Sequence, residues 1–208
     1  MAISIRDLQM KWVLILLIII WIYALSVFKR KKQAFFHFLV GSIGLFLFSF
    51  VILYPVLTAP LSRFVCDITG VVGEMLGIFK AYSSYGILFI ENVTGGPVSL
   101  YVDFECAGLV ENLVFLSLLI FFPAYKWYEK IWVGIAGVAG VMAANVLRLT
   151  VICVMIHVYG NEIYYLAHTI VGRMLFYALS IMLYFYIFTR RQIIQQKVGD
   201  FSYHGETD

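Results

Sequence analysis

The sequence predicts an all-α polytopic membrane protein, and three observations carry that prediction. Hydrophobic residues make up 62% of the 208-residue chain and charged residues 13%, with a mean hydropathy of +0.93. So little polar surface cannot cover a water-soluble globule. The apolar residues fall in long unbroken runs, which suits helices that satisfy their own backbone groups in hydrocarbon and not the short alternating strands of a barrel. The basic residues sit in short clusters flanking those runs, the pattern that sets orientation in a bilayer. A net charge of +3 distributed in this way argues for topology and against a nucleic-acid partner. Three cysteines supply neither a disulfide framework nor the spacing of a metal site. No ligand set for a metal or organic cofactor is visible, so none is expected.

A single transmembrane domain over residues 1–208 is expected, with about five helices at 12–28, 34–57, 107–122, 131–158 and 164–188. The first apolar run, Trp12 to Phe28, is near the lower limit for a span and stops at Lys29-Arg30-Lys31-Lys32. That cluster is assigned to the cytoplasm; because it follows the run, the segment reads as a retained anchor with its amino end outside, not as a cleaved signal peptide. The second run, Ala34 to Leu57, gives way after Pro55 and Pro60 to residues 62–105, read as an extracytoplasmic interfacial helix and hairpin. Within it, Val65 to Phe79 is interrupted by Asp67, Gly70, Gly73 and Glu74 and reads as an interfacial or re-entrant helix. Ile87–Ile90, the turn Asn92-Val93-Thr94-Gly95-Gly96 and the alternation from Val98 to Phe104 predict a β-hairpin. Its Asn-x-Thr triplet is too short to establish glycosylation. The third run ends near Phe122, before a loop with Lys126, Glu129 and Lys130. The fourth carries Gly134, Gly137, Gly140, Ala143 and Ala144, small residues that permit close helix contact. The fifth follows the break at Tyr159–Glu162 and closes on Arg190-Arg191.

These loops bring three polar residues to one depth. Cys106 begins span three, which crosses to the Lys126–Lys130 loop; span four crosses back, and Arg148 lies roughly 25 Å of helix rise along it. His168 sits in the first turns of span five, on the same face. With the basic loops inside, that face is extracytoplasmic. Cys106 stands where a strand-like segment meets a helix start, whose amides favour the nucleophilic thiolate; Cys66 and Cys153 read as small apolar fillers. An arginine inside an apolar span normally faces a cavity or partner, although snorkelling to the interface is the plainer reading. Asn145 lies three residues before Arg148 on the same helix face. His157 competes with His168 as the histidine of the site. Arg173 is a second cation for the pocket or a partner for Glu74, Glu105 or Glu111.

Cys106-Ala107-Gly108 at a helix start, Asn145-Val146-Leu147-Arg148 inside the next span and His168 at the head of the one after resemble the exosortase/archaeosortase family of membrane cysteine transpeptidases. The resemblance covers roughly residues 100 to 175, and the short chain is similar to the compact type found in Gram-positive bacteria. It implies Cys106 as nucleophile, His168 as general acid/base and Arg148 as the group that stabilises the oxyanion; Asn145, Glu105 and Arg173 are supporting candidates from their positions. It implies partners too: exported proteins with a C-terminal motif, a transmembrane helix and a basic tail, cleaved through an acyl-enzyme in the lipid bilayer and passed to an acceptor. Two other readings stay open from the residues themselves. One is a thiol-disulfide oxidase using Cys66 and Cys106; the other is a non-enzymatic membrane assembly or transport subunit in which Arg148 and His168 pair with a partner's carboxylates.

Overall fold

The computed structural model describes residues 5–91, 96–102 and 106–193, with side chains from Trp12 onward. Helix α1 (Ile5–Arg30) turns through the basic cluster into α2 (Ala34–Leu76). Three strands follow, β1 (Phe79–Tyr82), β2 (Ile87–Ile90) and β3 (Val98–Tyr101), then α3 (Leu109–Phe121), α4 (Trp127–Tyr159) and α5 (Gly172–Tyr184). Helix α5 is continued at its ends by π-helical turns, Leu166–Val171 and Phe185–Thr189. Four segments are long and apolar enough to cross a membrane: Trp12–Arg30, Ala34–Leu76, Trp127–Tyr159 and Leu166–Ile193. The expected third span is α3, whose 13 residues rise only about 20 Å.

The break expected after Pro55 and Pro60 is absent, because α2 runs through both prolines for 43 residues. Each proline removes one backbone donor, a loss that packed transmembrane helices tolerate. The helix rises about 64 Å, roughly twice the ~30 Å hydrocarbon layer. Its second half carries the sheet, and residues 65–76 continue α2 instead of forming a separate interfacial or re-entrant helix. Gly70 and Gly73, read from sequence as interruptions, are contact points: a Cβ on Gly70 would overlap Ala81, and one on Gly73 the Phe79 ring. Gly77, with φ of 68°, ends the helix as its amide and that of Ile78 bond Glu74 O and Gly73 O in a Schellman arrangement.

The sheet is antiparallel in the order β1-β2-β3, with Phe79 opposite Ile90 and Leu88 opposite Leu100. The hairpin expected from residues 87–104 is present as β2 and β3; its turn at 92–95 and Phe104 lie outside the described residues. Strand β1 was not expected, since Phe79-Lys80-Ala81-Tyr82 is short and only half composed of strand-favouring residues. The sheet's inner face, Phe79, Leu88, Ile90 and Leu100, packs with Val65 and Cys66 of α2, Leu149, Ile152 and Ile156 of α4, and Ala167 of the first π-helical turn. His157 Nδ1 also bonds the Glu91 carbonyl, tying the end of α4 to the hairpin.

At the other end of the bundle the basic segments gather. Arg191 pairs with Glu129 at 3.1 Å and lies over the Tyr125 ring at 5.3 Å, while Tyr125 donates to Ile187 O at 2.6 Å. Phe38, four residues into α2, meets Phe122. Trp127 and Trp132 are exposed there, as aromatic residues are at a membrane boundary. Gly137 lets α3 close on α4, since a Cβ there would overlap the Phe115 ring.

Candidate active site

Far from this basic end, the turn ahead of α3 is shaped by its glycine and held by two amides. Gly108 caps the helix at φ of 70°, a left-handed conformation that glycine adopts without steric cost. A Cβ there would also stand 3.2 Å from Asn145 Nδ2. Asn145, wholly buried, donates to the Cys106 carbonyl. Asn112 donates to Gly108 O at 2.8 Å and touches Met142 Sδ at 3.4 Å. The Cys106 backbone is thus fixed by side chains from α3 and α4, which leaves its Sγ a defined position.

Two further groups meet that sulfur. His168 Nε2 lies 3.6 Å from Sγ, and Arg148 Nη2 donates to it at 3.7 Å. The thiol itself is 0% exposed and Arg148 4%, whereas His168 is half-buried. Asn145 and Arg148, three residues apart on α4, therefore grip one residue from one helix face, the first by its carbonyl and the second by its sulfur. His168 reaches across from the π-helical turn Leu166–Val171; such widened turns recur at functional sites. Its ring stacks on Tyr164 with an interplanar angle of 2°. The Arg148 guanidinium sits 5.8 Å over the Phe176 ring, an aromatic face that suits a cation in a dry site.

Of the residues expected from sequence, Cys106, Arg148, His168 and Asn145 come together. Glu105 lies outside the described residues. Arg173 is exposed at the start of α5. His157, the competing histidine, is half-buried and turned to the hairpin. Cys66 and Cys153 are buried thiols, and Cys66 Sγ faces the Ile87 carbonyl at 3.6 Å. Snorkelling does not describe Arg148, which is buried against the thiol. Sequence reading missed Asn112, Tyr164 and Phe176. For Asn112 a signal existed: an amide side chain one turn after a helix-start glycine can reach back to that glycine's carbonyl. Among the described residues no group of three His, Cys, Asp or Glu side chains gathers as metal ligands would.

The family model described as transmembrane exosortase (Exosortase_EpsH) matches residues 2–186. The chain belongs to the transmembrane exosortase family. No curated protein and no solved structure gives a significant match. The matched range takes in every helix and strand that builds the thiol site. This exosortase also carries an apolar groove of about 940 Å³ between α2, α3 and α4, with Phe64 and Ile68 on one wall and Ile135, Ala139, Ala143 and Val146 on the other. The groove reaches from Lys130 to Thr150 along α4, about 30 Å of rise and so the depth of a bilayer's hydrocarbon. Met142 lines it and also touches Asn112 at the cysteine turn.

Proposed function

We propose that this exosortase is a membrane-embedded cysteine transpeptidase that cleaves the C-terminal sorting signal of exported proteins. The observation that carries the reading is Cys106 Sγ set between His168 Nε2 and Arg148 Nη2, at 3.6 and 3.7 Å. Positive charge next to the sulfur favours the thiolate. His168 takes the thiol proton at Nε2, and the sulfur attacks the scissile carbonyl carbon. Arg148 then turns from the sulfur to the oxygen on which charge develops, an interaction made strong by the scarcity of water. As the tetrahedral species collapses, the C–N bond breaks and His168 gives its proton to the departing nitrogen. An acceptor amine, hydroxyl or water next loses a proton to His168 and attacks the thioester, restoring the Cys106 thiolate. The basic segments at the Glu129–Arg191 end assign that end to the cytoplasm, so the thiol faces the exported side.

His168→Ala is expected to cut turnover by about 10²- to 10⁴-fold while the protein still inserts and Cys106 still reacts with an alkylating reagent. Mass spectrometry of the wild type quenched during turnover should find the substrate's amino-terminal fragment on Cys106. Near-normal turnover by His168→Ala, or the fragment on another residue, would overturn the mechanism.

The groove is the place for the substrate's own transmembrane anchor: its length matches one bilayer crossing, and Ala139 and Ala143 leave room for close helix approach. Ala143→Trp is expected to lower processing of an anchored substrate by at least about tenfold, which corresponds to ~1.4 kcal/mol. Alkylation of Cys106 should be unaffected. Unchanged processing would place the anchor elsewhere.

A further inference from the structure

His168 can assist the sulfur only while its ring is held at the right angle, and a histidine ring turns about two side-chain torsions, the second of which is broad. Two neighbours restrict it. Ala167, the residue before it, is fully buried in the cluster that contains Cys106, Leu149 and Ile152, so the backbone beneath the imidazole is fixed to the same core as the thiol. Tyr164, one turn earlier, covers the ring: the two planes are parallel within 2° and the centroids stand 5.8 Å apart, an offset stack. Tyr164 is half-buried and packs against that same cluster, whereas Tyr165 and Leu166 are turned outward, 70% and 44% exposed. The tyrosine is thus a wedge between the core and the imidazole.

The stack also bears on charge. His168 becomes an imidazolium when it takes the thiol proton, and a cation within about 6 Å of an aromatic ring's centroid is attracted by the ring's negative face. Tyr164 meets that condition, as Phe176 does for Arg148 at 5.8 Å. Each cationic group beside the sulfur therefore has an aromatic face behind it, and the thiol between them is closed to water.

We infer that Tyr164 is a positioning residue for His168: its ring holds the imidazole with Nε2 toward Cys106 Sγ, 3.6 Å away, and stabilises the imidazolium of the thiolate–imidazolium pair. The inference deepens the transpeptidase reading and takes from it the role of His168 as acid and base. On this assignment the ring face, not the phenol, carries the effect, so phenylalanine should serve in its place and an aliphatic side chain should not. An aliphatic residue of similar bulk fills the space but leaves the imidazole free to turn and its charge without a π partner.

The test follows Cys106 itself. Full-length protein in phosphatidylcholine nanodiscs is treated with iodoacetamide at neutral pH, and mass spectrometry reads the modified Cys106 peptide over time. Tyr164→Leu should slow modification by about five- to thirtyfold, while Tyr164→Phe stays within about twofold of wild type. With an anchored substrate, Tyr164→Leu should lower kcat by a similar factor and leave KM unchanged. In a His168→Ala background, Tyr164→Leu should slow modification no further, because the group it positions is gone. Tyr164→Met, a flexible filler of comparable size, gives the same comparison if the leucine variant fails to insert. Wild-type rates in Tyr164→Leu, equal losses in Tyr164→Phe and Tyr164→Leu, or a loss that persists in full in the His168→Ala background would each overturn the assignment. Iodoacetamide modification involves no peptide cleavage, so a negative result counts against Tyr164 alone; the transpeptidase reading fails only if Cys106 proves dispensable for processing.

Discussion

Replacing Cys106 with alanine is expected to abolish processing of anchored export substrates, with turnover lowered on the order of 10⁴-fold or more. The loss follows from position. The sulfur lies within reach of both Arg148 and His168, which places it to form the covalent intermediate. Fold and insertion should survive, because Asn145 and Asn112 hold the turn through the Cys106 and Gly108 carbonyls, which alanine keeps. Protease resistance of the bundle in lipid is the control. Cys66→Ser and Cys153→Ala bear on the disulfide alternative. Cys66 Sγ faces the Ile87 carbonyl, to which a serine hydroxyl can donate. Both variants should keep processing within a few-fold of wild type. If Cys66→Ser instead removed activity as completely as Cys106→Ala, thiol-disulfide exchange would replace acyl transfer as the chemistry.

The second large effect is expected at Arg148. Arg148→Gln should lower kcat by about 10²- to 10³-fold with little change in KM, because its interaction strengthens as the carbonyl oxygen becomes an anion. The same variant should slow alkylation of Cys106 at neutral pH, since less of the sulfur is thiolate without the adjacent cation. Arg148→Lys is expected to recover only part of the loss. Its point charge lacks the planar fork and the flat face that lies over Phe176. In the double variant with Cys106→Ala the Arg148 defect should vanish into the larger one, as for residues acting on a single intermediate. A rise in KM with kcat unchanged would assign Arg148 to substrate binding alone.

Much of the architecture was legible in the sequence because hydrophobic runs and basic clusters are long-range signals that no local detail reverses. The grouping of Cys106, Arg148 and His168 followed from counting crossings: each lies at the same end of a helix hairpin whatever precedes it. Asn145 was legible through its three-residue spacing from Arg148. The misreading of α2 had a physical origin. Two prolines and two glycines inside five turns resemble a break in water, yet the prolines are tolerated in a packed membrane helix and the glycines are where the sheet presses on it. Strand β1 escaped notice because its pairing with β2 is a tertiary fact, and four residues carry too little pattern to announce it.

The brevity of α3 leaves the depth of the thiol to be measured on its neighbour. If Trp127 marks the inner boundary, Arg148 stands 21 residues along α4, about 31 Å of rise, level with the outer edge of a ~30 Å layer, and the Cys106 sulfur that it meets lies at the same depth. On the transpeptidase reading, a cargo protein would offer its scissile bond among the lipid headgroups, so a short extended tether would let a folded ectodomain stay in water while its anchor stays in lipid.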